Sequence, residues 1–104
     1  MKHIKLWIDD IRPAPKGYQW IMTTNAAIAE IRTGRKIGWI YDVIDLDHDA
    51  GEKFSKDGGD YINILKWMEQ ENINNIPIHL HTQNSAGREN MRAIINHNGW
   101  KEIF

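Results

Sequence analysis

Cysteine is absent from this chain of 104 residues. Its absence excludes disulfide bonds, thiolate metal sites and cysteine nucleophiles, and it suits the reducing environment of the cytoplasm. The apolar run before Asp9 is too short for the core of a signal peptide or for a membrane span. A formal net charge of −1 gives no reason to expect an extended nucleic-acid surface. We therefore expect one cytoplasmic domain over residues 1–104 that does not bind membranes.

Short apolar runs alternate with segments of helical periodicity. The sequence predicts strands at Ile4–Ile8, Tyr18–Met22, Trp39–Leu46, Pro77–His81 and Trp100–Phe104. It predicts helices at Asn25–Thr33, Asp60–Glu71 and Ser85–His97. The alternation predicts an α/β fold: a doubly wound, parallel, five-stranded sheet covered by helices on both faces.

Turn-forming and capping residues set the bounds of these elements. Two prolines and a glycine within residues 11–17 exclude a long helix between the first two strands. The polar, glycine-containing segment Gly51–Gly59 is predicted as a loop. Thr23 or Thr24 is expected to cap the first helix, and Ser85 the last. Glycines at Gly34 and Gly99 are expected to end the same two helices.

Carboxylates follow two of the predicted strands at the point where each strand ends. Asp9 and Asp10 follow the first strand, and Asp47 and Asp49 follow the third. Because strand ends of a parallel sheet meet at one edge, these side chains are expected to share a crevice. Several carboxylates this close cannot all ionise without compensation, so either some stay protonated or a cation binds. Oxygen-only ligands suit Mg²⁺ or Mn²⁺. The alternative is a solvated acidic rim that binds no ion tightly.

Two histidines adjoin the same predicted strand ends. His48 lies between Asp47 and Asp49, which favours the imidazolium form and a role as an acid near neutral pH. His81 ends the fourth strand, and two histidines in one crevice suit acid–base chemistry on a phosphate ester. A structural role is the alternative for His81, and it is our interpretation of His79 in the same strand.

The turn after the fourth strand has the features of an anion site. Arg88 lies in the first turn of the predicted helix, where a cation opposes the helix dipole unless an anion binds there. Helix amides and a guanidinium both favour phosphate oxygens. The predicted phosphate contacts are Arg12, Asn84, Ser85, Gly87 and Arg88. Alternatively, Arg88 points to solvent or pairs with Glu89.

Five tryptophans are many for a chain of this length. Each falls in or beside an apolar run, so packing is the main interpretation. Stacking on a nucleobase is the alternative, for which Trp7 and Trp20 are the candidates.

Four ordered motifs resemble those of the cyclic-phosphate-processing receiver-like family, a divergent branch of the receiver fold of two-component signalling. They are Leu6-Trp7-Ile8-Asp9-Asp10-Ile11-Arg12-Pro13, Leu46-Asp47-His48-Asp49, Gly59-Asp60 and the segment from His81 to Met91. The resemblance covers nearly the whole chain and implies a flavodoxin-like sheet of order 2-1-3-4-5. It further implies that the first crossover helix is reduced to a loop around Pro13–Lys16, that the last helix is absent, and that histidines are added to a receiver-type acidic pocket.

This resemblance implies the processing of cyclic phosphates on nucleotides or RNA ends. We therefore expect a metal-assisted phosphodiesterase, a hydrolase whose catalytic residues are Asp47, His48 and His81. The residues expected to hold Mg²⁺ or Mn²⁺ are Asp9, Asp10, Asp47 and Asp49. Asp45 stands where the family has a small polar residue, and it adds a carboxylate near the site. A module that sequesters a nucleotide without cleaving it is the alternative.

A phosphoacceptor receiver, with Asp47 as the acceptor, is a third interpretation. Receivers grip the phosphoryl group with a lysine at the C-terminal end of the fifth strand. Lys101 is expected at the start of that strand instead. This departure and the expected absence of the last helix weaken the signalling interpretation.

Overall fold

The computed structural model describes residues 1–104, which form five strands and four helices. The strands are β1 (His3–Ile8), β2 (Gln19–Ile21), β3 (Ile40–Leu46), β4 (Ile78–Leu80) and β5 (Glu102–Ile103). The helices are α1 (Thr24–Lys36), α2 (Glu52–Ser55), α3 (Ile62–Gln70) and α4 (Ser85–Asn98). None of the helices combines the length and apolarity needed to cross a bilayer.

The strands form one parallel sheet in the order β2-β1-β3-β4-β5, which confirms the predicted topology. The β1–β2 connection contains no helix, as the prolines of that segment predict. An irregularity in the β1–β3 pairing leaves one extra residue in β3, because Ile4 pairs with Tyr41 and Lys5 with Val43. After this bulge, β1 and β3 run in register to the ends of both strands.

The long helices lie on one face of the sheet, so the expectation of helices on both faces is wrong for these residues. Each connection from β2 to β3, β4 and β5 moves in the same direction across the sheet. Right-handed crossovers therefore place α1, α3 and α4 together, and α3 packs between the other two. Only the β1–β2 connection crosses in the opposite direction, and it is a loop.

The two faces of the sheet differ in chemistry as a result. Leu6, Ile8, Ile44 and Leu46 are fully buried beneath the helices. The alternate residues of the same strands point to the face that no helix of residues 1–104 covers. A cavity of about 390 Å³ lies on this open face, and its lining includes Lys5, Tyr18, Asp45, His79 and Phe104.

Three predictions about element bounds are wrong. The helix α1 continues past Gly34 to Lys36, because Gly34 is buried against Tyr41 and serves close packing: a Cβ there would lie 1.8 Å from the Tyr41 hydroxyl. The segment predicted as a loop contains the single turn α2, whose Phe54 packs on the core. The N-cap of α4 is Asn84, whose side chain reaches the Gly87 amide.

Two other bounds agree with the sequence. Thr23 caps α1 by accepting a hydrogen bond from the Ala26 amide at 3.1 Å. Gly99 ends α4 in the left-handed conformation, with φ 67°, which glycine adopts at no steric cost. The helices therefore approach the carboxyl ends of the strands with defined starting points.

Candidate functional site

Three carboxylates meet at the carboxyl ends of β1 and β3. One oxygen of each of Asp9, Asp10 and Asp47 lies within 4.8 Å of the others. The pairing of the strands continues one step beyond β3, since the Asp47 amide donates to the Ile8 carbonyl at 2.9 Å. The expected convergence of these strand ends is therefore what the structure contains.

Asp9 is fully buried, and both of its oxygens are engaged by the protein. Oδ1 accepts hydrogen bonds from the amides of Ile11 and Arg12, at 2.8 and 3.0 Å. Oδ2 lies 2.9 Å from His81 Nε2 and 3.4 Å from Arg12 Nε. Burial raises the pKa of Asp9, but these amides and the His81 ring outweigh it, so the pKa lies below its usual value. Asp9 has few lone pairs left for a cation.

Asp10 and Asp47 each keep one oxygen that accepts no hydrogen bond from the protein. The other oxygen of Asp10 accepts the Gly51 amide at 2.9 Å, and that of Asp47 accepts the His48 amide at 2.8 Å. A Cβ on Gly51 would lie 2.3 Å from Asp10 Oδ2, so this approach requires glycine. The open oxygens of Asp10 and Asp47 suit a hard divalent cation.

A guanidinium lies close to the same carboxylates. Arg12 Nη2 is 3.8 Å from Asp47 Oδ2, and its Nη1 donates to the His81 carbonyl at 3.4 Å. Arg12 offsets part of the negative charge of the group. A cation bound by Asp47 therefore competes with this arginine.

His81 is held between two carboxylates, with its side chain 8% exposed. Its Nε2 faces Asp9, and its Nδ1 lies 2.6 Å from Asp45 Oδ1. The Trp7 indole stacks on the ring, with centroids 3.8 Å apart and planes 1° from parallel. His81 thus reaches the acidic group with a fixed orientation.

Sequence reasoning missed the part played by His79. Its Nδ1 lies 2.8 Å from the same Asp45 oxygen that His81 contacts. Asp45 is 6% exposed and lies beside the acidic group rather than in it. The strand register aligns Trp7, Asp45 and His79 across three neighbouring strands. The period-two alternation of the strands was the available signal, since it places all three on one face once the pairing is known.

His48 and Asp49 do not join the three-carboxylate group. His48 Nδ1 lies 2.8 Å from Asp49 Oδ1, and both belong to a separate cluster with Asp60. The His48 hydrogen bond lowers the pKa of Asp49, burial raises it, and Asn84 lowers it further, so the net shift is downward. The expectation that Asp49 shares one crevice with all the other carboxylates is wrong, because its side chain turns toward the start of α4.

The start of α4 packs directly on His48. A Cβ on Gly87 would lie 2.5 Å from His48 Cγ, so the ring occupies the space that a side chain there would need. Asn84 caps the helix through the Gly87 amide at 2.9 Å and donates to Asp49 at 3.2 Å. Ser85, the expected cap, is exposed and makes no such contact.

The two arginines predicted to bind phosphate are anchored on successive carbonyls. Arg12 donates to the His81 carbonyl, and Arg88 donates to that of Thr82. Arg88 therefore neither pairs with Glu89 nor extends into solvent, and Glu89 pairs with Arg92 instead. Both guanidinium groups lie beside the loop that follows β4.

The two candidate base-stacking tryptophans support the loop after β1. Trp7 Nε1 donates to the Arg12 carbonyl and Trp20 Nε1 to the Asp9 carbonyl, both at 2.8 Å. One face of Trp7 is occupied by His81. Trp20 is 38% exposed and keeps accessible ring surface beside the site.

Lys101 lies at the amino ends of the strands, whereas the acidic residues and the histidines lie at the carboxyl ends. It precedes β5, and its carbonyl accepts from the amide of Ile78 at the start of β4. It is therefore far from the position from which a receiver lysine would reach Asp47.

Comparison with known proteins adds one match. The model of a protein family described as the cyclic-phosphate processing receiver domain matches residues 4–97. No curated protein and no solved structure matches the chain.

Proposed function

Because the chain belongs to the family of cyclic-phosphate processing receiver domains, we propose that it is a metal-assisted phosphoesterase that opens a cyclic phosphate on a nucleotide or RNA end. One observation carries this function: the carboxylates of Asp9, Asp10 and Asp47 meet at the strand edge with His81 in direct contact. Carboxylates, an imidazole ring and guanidinium groups side by side suit the chemistry of a phosphodiester.

The cation, Mg²⁺ or Mn²⁺, is assigned to the open oxygens of Asp10 and Asp47, with Asp9 as a supporting carboxylate. When bound, such a cation lowers the pKa of a coordinated water and offsets the charge that develops on phosphate. The donor set fits, since Asp10 and Asp47 each offer an oxygen without a protein hydrogen bond. The guanidinium of Arg12 is the group displaced from Asp47 in this arrangement.

The phosphate is assigned to the loop after β4 and the start of α4. Arg12 and Arg88 approach the loop from their carbonyl contacts, and both favour the nonbridging oxygens of a phosphate. Ser85 and Gly87 lie in the first turn of α4. The Ser85 amide makes no hydrogen bond within the protein and favours an anion, whereas the Gly87 amide is held by Asn84. Trp20 offers a partly exposed ring for a nucleobase.

Hydrolysis requires two proton transfers. Water attacks phosphorus, the bond from phosphorus to one ring oxygen breaks, and that oxygen leaves as a hydroxyl group. His48 is assigned the transfer to this oxygen, because its Nε2 makes no hydrogen bond within the protein. His81 is assigned the proton that the attacking water loses: with Nδ1 held by Asp45, its Nε2 accepts that proton after exchanging its contact with Asp9 for one with the water.

The test is turnover of a panel of 2′,3′- and 3′,5′-cyclic nucleotides and of RNA with a 2′,3′-cyclic end, with and without Mg²⁺ or Mn²⁺. Phosphorus NMR is expected to show a phosphate monoester from at least one substrate, in a metal-dependent manner. Asp47→Asn and His48→Ala should each abolish most of this activity. Glu71→Gln, an exposed acid, is the matched control. Failure of the folded protein to open any member of the panel excludes the hydrolase.

A nucleotide-binding module is the second candidate, and the saturation of Asp9 favours it. Every oxygen of Asp9 is satisfied inside the protein, as expected of a rigid pocket that needs no cation. Calorimetry would then show tight binding of a ligand that is recovered unchanged. Arg88→Ala should abolish this binding, whereas His48→Ala should leave it intact.

A further inference from the structure

The open face of the sheet carries a histidine that the proposed reaction does not use. His79 lines the cavity of about 390 Å³, and its side chain is 34% exposed. It makes one hydrogen bond within the protein, to Asp45. Lys5 and Tyr18 line the same cavity and make no hydrogen bond or ion pair with Asp45. Solvent therefore reaches one side of His79, while its Nδ1 points to a buried carboxylate.

A continuous series of contacts leads from this histidine to the acidic group. His79 Nδ1 lies 2.8 Å from Asp45 Oδ1, and that oxygen lies 2.6 Å from His81 Nδ1. His81 Nε2 then lies 2.9 Å from Asp9 Oδ2. Three of the four side chains are nearly buried, so each has a restricted set of orientations.

We propose that His79 is a positioning residue, which fixes the Asp45 carboxylate and, through it, the ring of His81. The Asp45 oxygen that holds His81 is the one that His79 also contacts. Without His79, the Asp45 carboxylate can either keep its hydrogen bond with His81 or turn toward the cavity and accept hydrogen bonds from water. Hydrogen bonds of this kind to the far nitrogen of a histidine set its tautomer and ring orientation. The consequence for turnover rests on the proposed function, but the consequence for the ring does not.

The contact between Asp45 and His79 also fits the difference between this chain and the family pattern at position 45. Asp45 stands where a small polar residue is expected, and its carboxyl group is buried. A buried carboxylate with a hydrogen-bond donor on only one side is costly unless further donors satisfy it. His79 supplies that second donor on the open face.

The test reads the His81 ring directly by nitrogen-15 NMR. The native protein is expected to show a slowly exchanging Nδ1–H proton for His81. His79→Val should remove its protection from exchange, while His79→Asn, whose amide nitrogen takes the place of Nδ1, should retain it. Lys5→Met changes the cavity without removing a hydrogen bond or ion pair of Asp45, and it should leave the signal unchanged. Retention of the native signal in His79→Val overturns the inference.

Asp45→Ser provides a second route should the valine variant fold poorly. Serine restores the small polar residue, and the His81 Nδ1–H signal should again lose protection. Adding His79→Val to this variant should then have no further effect, because the connection is already broken. An additional change in the double variant shows that His79 acts on His81 by another route and contradicts the inference.

Turnover gives a separate readout. With a substrate that the native protein opens, His79→Val should lower kcat by about 10- to 100-fold, and His79→Asn should restore most of it. If the native protein opens no substrate but the His81 signal responds as expected, the proposed function fails and the positioning role stands. If turnover is present and His79→Val leaves both readouts unchanged, the positioning role fails alone.

Discussion

Asp9 illustrates how a single residue combines burial with charge. Its carboxylate is fully buried, yet two backbone amides, an imidazole ring and a guanidinium surround it. The amides belong to Ile11 and Arg12, so the loop after β1 is folded around this side chain. Sequence reasoning placed Asp9 at the strand end but counted it as a metal ligand equal to the others. Because both of its oxygens are occupied by contacts within the protein, Asp9 holds the site together rather than serving as an equal metal ligand.

The pH dependence of stability should report the environment of Asp9. Its folded pKa is depressed, so the ionised form stabilises the fold above the ordinary value of 3.8, and this is lost as pH falls through the folded pKa. We expect Asp9→Asn to flatten the acid limb of stability and to cost roughly 3 kcal/mol at neutral pH. Urea unfolding across the acid range measures both effects. A variant with an unchanged acid limb would show that Asp9 is not the responsible group.

Substitutions of Asp47 and Asp49 should have different effects on the stabilisation of the protein by Mg²⁺. Titrating Mg²⁺ to about 100 times its dissociation constant should stabilise the native protein by about 2.7 kcal/mol, a rise in Tm of roughly 10 °C or more. Chelation should reverse the shift. Asp47→Asn should abolish it, because Asp47 offers an open oxygen, whereas Asp49→Asn should preserve it, because Asp49 belongs to the other cluster. If the two substitutions reduced the stabilisation by Mg²⁺ equally, Asp49 would also be a ligand of the cation.

At the scale of elements, the β4–α4 connection brings together most of the predicted phosphate contacts. The existence of β4 and α4 follows from their apolar periodicity, so both were predictable. The identity of the cap was not, because Asn84 and Ser85 both have capping side chains. Asn84 is selected by a distant contact, its hydrogen bond to Asp49. The turn α2 was missed for a similar reason, since packing of Phe54 on the core decides it.

Alanine substitution separates the two possible caps of α4. Asn84→Ala should lower the free energy of unfolding by about 1 kcal/mol, because the Gly87 amide loses its acceptor. Ser85→Ala, the matched control one residue later, should change it by a few tenths or less. Urea unfolding measures both. A larger loss for Ser85→Ala would mean that the helix begins one residue later than the structure has it.

For the whole molecule, the arrangement of layers follows from one missing helix. The prolines that exclude a helix between β1 and β2 also leave one face of the sheet without a helix within residues 1–104. The right-handedness of crossover connections and the predicted strand order together predict that the helices lie on one face of the sheet. Alternation alone, however, favours helices on both faces. The sequence alone did not predict which side chains contact each other on the face without helices. The contact of His79 with Asp45 depends on a strand register between residues 34 positions apart.

The layer beneath the helices should determine how the molecule responds to alkali. Burial raises the pKa of Tyr41, with Glu30 raising it further, and burial raises that of Tyr61, with Asp10 adding to it. Both folded pKa values exceed those of the unfolded chain, so this stabilisation is complete below about pH 10 and is lost as pH rises further. The tyrosinate absorbance of these two residues should therefore rise together with the loss of helical circular dichroism. Tyr61→Phe removes one of the ionisations that drive unfolding and should flatten the alkaline limb, although it also loses the hydrogen bond to the Met22 carbonyl. Ionisation of both phenols while the helices remain intact would mean that the helix layer opens locally without unfolding the sheet.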